Sequence, residues 1–143
     1  MTHPATVQVQ VTRRFDAPAE RVFDAWLDAA CAAKWLFATP TGEMVRAEID
    51  PRVGGTFVLT ERRDGVDTLH TGEYLAIDRP RRLVFTFGVP QYAPNFTPVT
   101  LDIAPLDSGC ELTLTNDGIP EAYAAPTKGG WTKILDGLAT TLA

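Results

Sequence analysis

Three side chains on one predicted strand carry groups from which acid–base chemistry is often built. His70, Glu73 and Tyr74 supply an imidazole, a carboxylate and a phenol within a short stretch of chain, and each can transfer a proton. Alternation along a strand puts His70 and Tyr74 on one face of the sheet and Glu73 on the other. The first two therefore form a candidate pair facing a cavity, whereas Glu73 is expected to be solvated. An ordinary cross-strand role for His70 is the alternative.

The remaining reactive residues form no recognisable catalytic or metal-binding pattern. The only histidines are His3 and His70, the only cysteines are Cys31 and Cys110, and no H-x-x-x-H or C-x-x-C spacing occurs. Cys31 falls on the apolar side of a predicted helix and Cys110 at an inward strand position, which predicts two inert core thiols. The sequence thus predicts no catalytic residue, no metal ion and no cofactor.

Composition limits the class of protein. The 143 residues, 45% of them hydrophobic, are typical of one soluble globular domain, which we expect to span residues 1–143. A net charge of −5 argues against a nucleic-acid partner, since phosphate backbones need clustered Lys and Arg. Residues 1–6 lack a basic and apolar leader, and no apolar run approaches the roughly 18 residues of a membrane span. We therefore expect a cytoplasmic protein.

Apolar spacing at the end of the chain predicts a long helix over residues 126–143. Five apolar residues recur there at helical intervals on one face: Trp131, Ile134, Leu135, Leu138 and Leu142. A helix with one wide apolar face must bury it against another element. Most of the preceding chain is predicted to form strands, so we expect this helix to pack on the concave face of a sheet.

Alternating apolar residues predict seven strands, with two short helices between the first and the second. The predicted strands cover residues 7–15, 44–50, 56–62, 69–77, 83–87, 99–103 and 110–114. The short helices are predicted over residues 19–27 and 29–36, the second with Asp28 as N-cap. Asp64-Gly65 indicates a hairpin turn. The sequence therefore predicts an α+β fold in which one antiparallel sheet curves around the terminal helix.

Five segments spread over nearly the whole chain carry a family resemblance. They are RFDAPAERVFDAW at 14–26, DPRVGGTF at 50–57, GEYLAID at 72–78, PRRLVFTF at 80–87, and GW at 130–131 with the apolar positions that follow. Together they resemble the START-like (SRPBCC) superfamily, and within it the branch named after the C-terminal domain of the activator of the heat-shock chaperone ATPase. The resemblance implies a helix-grip fold with a cavity between sheet and long helix. It implies no single chemistry, because lipid and hormone binders, cyclases and co-chaperone domains share that fold.

The aromatic residues supply the candidate lining of that cavity, because small-molecule pockets are mostly apolar with few polar groups. Strand residues and the long helix are expected to form its walls. Tyr92 and Phe96 of the proline-rich loop over residues 88–98 are expected either to cover its mouth or to cap the core permanently. The predicted ligand-binding residues are Phe85, Phe87, Trp131, Tyr92, Phe96, His70 and Tyr74.

Three functions from different classes remain open on the sequence. The first is binding of a small hydrophobic or aromatic molecule by a monomer or homodimer without a reaction. The second is a protein-interaction or chaperone-linked role. Because six residues precede the first predicted strand, we expect no counterpart of the separate N-terminal domain of the eukaryotic activator. The third is an enzyme acting on a hydrophobic substrate in the same cavity. A cavity of several hundred Å³ favours the first or third, and a filled core with an exposed apolar patch favours the second.

Overall fold

The computed structural model describes residues 5–39, 41–90 and 96–143 of the chain. Seven antiparallel strands form one sheet in the order β1-β7-β6-β5-β4-β3-β2. The strands are β1 Thr6–Phe15, β2 Glu43–Ile49, β3 Thr56–Arg63, β4 Val66–Asp78, β5 Arg82–Phe87, β6 Thr97–Pro105 and β7 Cys110–Pro120. The helices are α1 Ala19–Ala25, α2 Ala29–Trp35 and α3 Ala124–Leu142, the last preceded by a short 3-10 turn at Glu121–Tyr123. The predicted α+β helix-grip fold is confirmed, with the curved sheet, the long C-terminal helix and both short helices.

The sheet is a meander from β2 to β7, to which β1 adds at the far edge. β1 pairs with β7, while β2 lies at the opposite edge beside β3, so α1 and α2 carry the chain from one edge to the other. Asp64 and Gly65 both have positive φ, at 54° and 77°, which is the geometry of a two-residue hairpin turn. The hairpin predicted from this dipeptide is therefore present between β3 and β4.

The two short helices are fixed by a cap and by large rings. The Asp28 carboxylate accepts hydrogen bonds from Ala30 N at 3.0 Å and Cys31 N at 3.3 Å, which confirms the predicted N-cap of α2. Trp26 and Trp35 are buried and meet edge to face with ring centroids 4.7 Å apart.

The two cysteines differ in burial, since Cys110 is fully buried while Cys31 is only half-buried.

Helix α3 closes the core with the face predicted for it. Trp131, Leu135 and Leu138 are buried, and the helix packs against β1, β7 and α2. The inner face of the sheet adds fully buried leucines such as Leu101 and Leu114 to the same core. None of the helices in the described residues is long and apolar enough to cross a membrane.

Strand β7 is longer than predicted, and the extra length reaches the cavity. Its inward residues Leu112 and Leu114 are followed at the next inward position by Asn116, which is only 1% exposed. The pairing of β1 with β7 shifts register between Val7 and Val9, opposite this position. Gly118 follows with a φ of 75°, which glycine adopts at little cost. The end of β7 therefore departs from regular pairing where it borders the cavity.

Candidate functional site

A cavity of about 660 Å³ lies between the N-terminal half of α3 and the end of the sheet. There β5 and β7 finish and β6 begins. Its volume is in the range of sites that hold small molecules, about 300–1,000 Å³. The residues that line it are Thr6, Phe37, His70, Phe87, Gly88, Val89, Thr97, Asn116, Gly118, Ile119, Pro120, Tyr123, Thr127, Gly130, Trp131 and Ile134.

Four rings pack together on the inner wall, and we call Phe37, His70, Phe87 and Trp131 the cavity ring cluster. Phe37 is nearly parallel to His70, with centroids 4.5 Å apart and an interplanar angle of 4°, and to Phe87 at 4.6 Å and 20°. Trp131 crosses these planes, at 74° to Phe87. The cluster therefore offers a ligand both stacked and edge-to-face aromatic contacts, the two arrangements that ring pairs prefer.

His70 is held neutral in this wall. Its Nδ1 lies 3.1 Å from the carbonyl oxygen of Leu59, which can only accept, so Nδ1 carries the proton. Burial lowers the pKa of His70; the backbone oxygens of Leu59 and Thr68 and the nearby charge of Glu61 oppose that shift without overcoming it. The ring thus contributes a polar but uncharged surface to the cavity.

Asn116 fixes the orientation of the Trp131 indole. The Asn116 Oδ1 atom accepts a hydrogen bond from Trp131 Nε1 at 3.1 Å. Its Nδ2 atom donates to Thr97 Oγ1 at 3.0 Å and to the Pro98 carbonyl oxygen at 3.1 Å. One buried amide therefore ties α3 to β6 and β7. Because these bonds satisfy both its donor and its acceptor, Asn116 acts on the cavity mainly by holding Trp131 in place.

Two exposed aromatic side chains lie at the cavity or against one of its wall residues. Tyr123, the last residue of the 3-10 turn before α3, is 63% exposed and lines the cavity. Phe96 is 42% exposed, and its ring lies so close to Gly88 that a β-carbon there would overlap it. Phe96 therefore covers a residue of the cavity wall. Tyr92, the other aromatic residue predicted at the mouth, lies outside the described residues.

The structure separates the other predicted site residues into two places. Phe87, Trp131 and His70 line the cavity. Phe85 and Tyr74 lie in the packed core, where their ring centroids are 6.4 Å apart. Burial raises the pKa of the Tyr74 phenol, and the charge of Asp50 adds to that effect. The predicted pair of His70 and Tyr74 therefore shares a face of β4 without sharing the cavity.

The charge of the cavity lining is zero in the described residues. No Asp, Glu, Lys or Arg side chain lines it. Within residues 5–39, 41–90 and 96–143 no group of three or more His, Cys, Asp or Glu side chains is placed to hold a metal ion. The arrangement provides shape, aromatic surface and a few neutral polar groups.

A second depression, of about 530 Å³, differs from the cavity in being open and ionic. It lies between α1, α2 and the C-terminal end of α3. At its edge the Arg79 guanidinium binds both carboxylate oxygens of Asp24, at 2.8 and 2.9 Å, and this hydrogen bonding lowers the pKa of Asp24. Its walls carry charged side chains of both signs, so it lacks the apolar lining of a small-molecule pocket.

Asn116 and Phe37 are two of the cavity residues that were not predicted as site residues from the sequence. Asn116 continues the inward alternation of Leu112 and Leu114, and a polar residue at the next inward position was the available signal. The sequence does not distinguish Phe37 from the other aromatic residues. Its φ of 58°, rare for a bulky residue, leaves no mark in the local sequence.

The comparisons with known proteins agree with this architecture. A protein from Chromobacterium violaceum of known crystal structure is 30% identical, with a TM-score of 0.84 over 93% of this chain and 94% of that one. An AHSA1-like protein from Aeromonas hydrophila, solved in solution, is 22% identical, with a TM-score of 0.83 over 95% and 92% of the two chains. A Staphylococcus aureus protein described as of unknown function shares the fold at 15% identity, with a TM-score of 0.84 over 96% and 94%. No curated protein matches this sequence.

The family itself is given by a match of the sequence to one family model. The model described as Activator of Hsp90 ATPase homolog 1-like protein matches residues 16–143, which covers most of the chain and confirms the resemblance in the five sequence segments. This protein therefore belongs to the family of Activator of Hsp90 ATPase homolog 1-like proteins.

Proposed function

We propose that this protein binds a small, uncharged hydrophobic or aromatic molecule in the cavity between the sheet and α3. The observation that carries the proposal is the 660 Å³ cavity with the cavity ring cluster on its inner wall. A cavity of that size would bury most of the surface of a small ligand, and apolar burial is the main driving force for such binding.

The absence of charge from the described lining supports an uncharged ligand. A charged group entering the cavity would lose its hydration and find no counter-ion among those residues. His70 does not change this balance near neutral pH, because burial lowers its pKa. Thr97 adds a hydroxyl that already accepts from Asn116 and has its own proton to donate, which suits one polar group on a ligand.

A chaperone-linked role is the second candidate, and the family match supports it. The exposed large apolar residues of the described chain include Val53, Leu75 and Tyr123. Val53 and Leu75 flank the hydrogen-bonded backbones of Gly54 and Tyr74, whereas Tyr123 lines the cavity. The first two are therefore candidates for a protein contact. Stimulation of Hsp90 ATPase activity by the purified protein would support the chaperone-linked role instead.

A reaction in the cavity is the third candidate and has the least support. His70 and the exposed Tyr123 are the only side chains of an acid–base type in the described lining. The Nδ1 proton of His70 is bound to a backbone carbonyl. We therefore propose binding without chemistry.

Titration with the uncharged fluorescent dye N-phenyl-1-naphthylamine tests the binding proposal. We expect saturable binding with enhanced dye emission. The matched probe is 8-anilino-1-naphthalenesulfonate, which has the same ring system with an added sulfonate. We expect the sulfonate to bind at least about tenfold more weakly, because its charge has no partner in the cavity.

Two glycines of α3 give a matched pair of variants for the location of the dye. Both are exposed, and an added β-carbon at Gly129 or Gly130 would meet no described atom within 4 Å, but only Gly130 lines the cavity. We expect Gly130→Leu to weaken dye binding about tenfold or more and Gly129→Leu to leave it unchanged. Equal effects of the two variants, or dye binding that does not saturate in the wild type, would contradict the proposal.

Native mass spectrometry of freshly purified protein addresses the natural ligand. A retained molecule would appear as a mass above that of the chain and would be lost under denaturing conditions. We expect any such molecule to be uncharged, and to be absent or less abundant in Gly130→Leu.

A further inference from the structure

Phe37 stands out because a bulky side chain occupies a backbone conformation that normally favours glycine. It follows the end of α2, where Leu36 is extended, and has a φ of 58°. Residues of this size adopt positive φ rarely and at a cost in free energy, and such strain concentrates where binding requires it. Phe37 is nevertheless only 6% exposed, so the surrounding structure holds it firmly.

The conformation places the Phe37 ring at the centre of the cavity ring cluster. Its centroid lies 4.5 Å from His70, 4.6 Å from Phe87 and 5.9 Å from Trp131. His70 and Phe87 are themselves 6.0 Å apart, at 17° to each other. Phe37 therefore brings the other rings into one nearly parallel set that Trp131 crosses. A flat ligand ring can extend such a set, whereas a puckered ring of the same size cannot stack on it.

Glu61 holds the chain immediately after Phe37. It continues the inward positions of Phe57 and Leu59 along β3, and it is only 4% exposed. Its Oε2 atom accepts a hydrogen bond from Thr39 N at 2.6 Å, and a β-carbon at Gly42 would overlap its carboxylate. The glycine thus leaves room for the carboxylate beside this segment.

The chemistry of Glu61 is unusual for the core. No Lys or Arg in the described part of the chain forms an ion pair with it. A buried carboxylate without a cationic partner costs free energy. If this position served only to fill the core, we would expect an apolar residue there. Its hydrogen bond to Thr39 N holds the backbone two residues after Phe37.

We propose that Phe37 selects flat, uncharged aromatic ligands for the cavity and that Glu61 is the residue that positions it. This inference rests on the proposed function and adds the class of ligand. Phe37 aligns the half-buried rings of His70 and Phe87 into one stacking surface, and Glu61 keeps the segment after Phe37 in the conformation that does so.

A pair of competing ligands tests the selection. 2-Naphthol is flat and aromatic; decahydro-2-naphthol has the same carbon skeleton and hydroxyl but puckered, saturated rings. Each is used to displace N-phenyl-1-naphthylamine from the wild type and from Phe37→Leu, which keeps an apolar side chain without the ring. We expect the preference for 2-naphthol over its saturated analogue to fall about three- to tenfold in the variant, as for one or two lost aromatic contacts.

Glu61→Gln and Glu61→Leu test the positioning. The amide oxygen of Gln can still accept from Thr39 N, so we expect Glu61→Gln to retain the ligand preference and Glu61→Leu to lose it. Stacking on Phe37 should also shift the ring protons of His70 upfield in the NMR spectrum. We expect that shift to persist in Glu61→Gln and to disappear in Glu61→Leu. A purely structural role would lower the melting temperature without changing either readout.

The outcomes separate this inference from the proposed function. Failure of the dye to bind the wild type would remove both. Saturable binding with an unchanged ligand preference in Phe37→Leu would overturn the selection by Phe37 alone. An unchanged preference and an unchanged His70 shift in folded Glu61→Leu would overturn the positioning role. Should Glu61→Leu not fold, Glu61→Ser, which leaves room for water, is measured against the same two outcomes.

Discussion

Single polar residues inside an apolar wall carry much of the specificity of this fold. Asn116 and Glu61 each continue an inward run of apolar strand residues, and each is almost completely buried. Asn116 satisfies its amide through three hydrogen bonds, one of them to Trp131. Buried polar groups stabilise one arrangement only while their partners are present, so these two residues fix how α3 and the segment before β2 meet the sheet.

Replacing Asn116 by leucine should therefore destabilise the fold. Trp131 Nε1 would remain buried without an acceptor, which costs about 1–3 kcal/mol. Thr97→Val removes only one acceptor of the Asn116 amide and should cost less, about 0.5–1.5 kcal/mol. Urea unfolding followed by circular dichroism measures both. Equal midpoints for Asn116→Leu and the wild type would show that the bond to Trp131 contributes nothing.

His70 should make stability depend on pH below neutrality. Its pKa in the folded protein is lowered by burial, so as the pH falls through its ordinary value of about 6.5 the unfolded chain binds a proton that the folded chain does not. The free energy of unfolding is therefore expected to decrease as the pH decreases through that range. His70→Gln removes the titrating group and should flatten the dependence of the unfolding free energy on pH in this range. His3 is present in both proteins, so its contribution cancels in the difference between them.

Unfolding by urea at several pH values from about 7.5 downward measures this contribution, as the difference between wild type and His70→Gln. The difference should change between the ordinary histidine value and the lower folded value, then stay constant. A difference that is the same at every pH would mean that His70 titrates alike in the folded and unfolded chains.

At the scale of elements, the packing of α3 on the sheet depends on a few side chains of one helical face. Leu135 is fully buried, whereas Lys133 is exposed on the same helix. Leu135→Ala should cost about 2–5 kcal/mol, because it removes transfer energy and leaves a cavity. Lys133→Ala should stay within about 0.5 kcal/mol of the wild type. Chemical unfolding of both variants measures these losses, and a loss for Leu135→Ala as small as that of Lys133→Ala would contradict the packing.

At the scale of the whole molecule, the chain is expected to unfold as one unit without help from a metal. One continuous cluster of buried residues joins the sheet, the short helices and α3, which favours a single cooperative transition. Far-ultraviolet circular dichroism and tryptophan fluorescence should give coincident melting curves, and a chelator should leave them unchanged. Separate transitions would indicate two independent units, and a chelator-dependent decrease would indicate a bound metal.

Periodicity in the sequence determined the order and type of the elements. Alternation and helical spacing are local consequences of which face is buried, so β1, the six later strands, both short helices and α3 follow from residue patterns alone. The Asp28 cap and the Asp64-Gly65 turn were predictable for the same reason, since their hydrogen bonds and φ angles involve only neighbours in the chain. Boundaries shifted by a few residues because strand ends depend on pairing with partners elsewhere.

Only the tertiary structure decided which aromatic residues face the cavity. Phe85 and Phe87 lie on the same face of one strand, yet the first is packed in the core and the second lines the cavity. The reason is that Phe85 packs against Trp26 and Phe57, whereas Phe87 packs against Phe37 and Trp131 at the cavity wall. Phe37 lines the cavity because its backbone has a positive φ, which no pattern in the neighbouring sequence predicts. A sequence specifies which face of each element is apolar, but the empty volume between elements depends on their relative positions, which long-range contacts set.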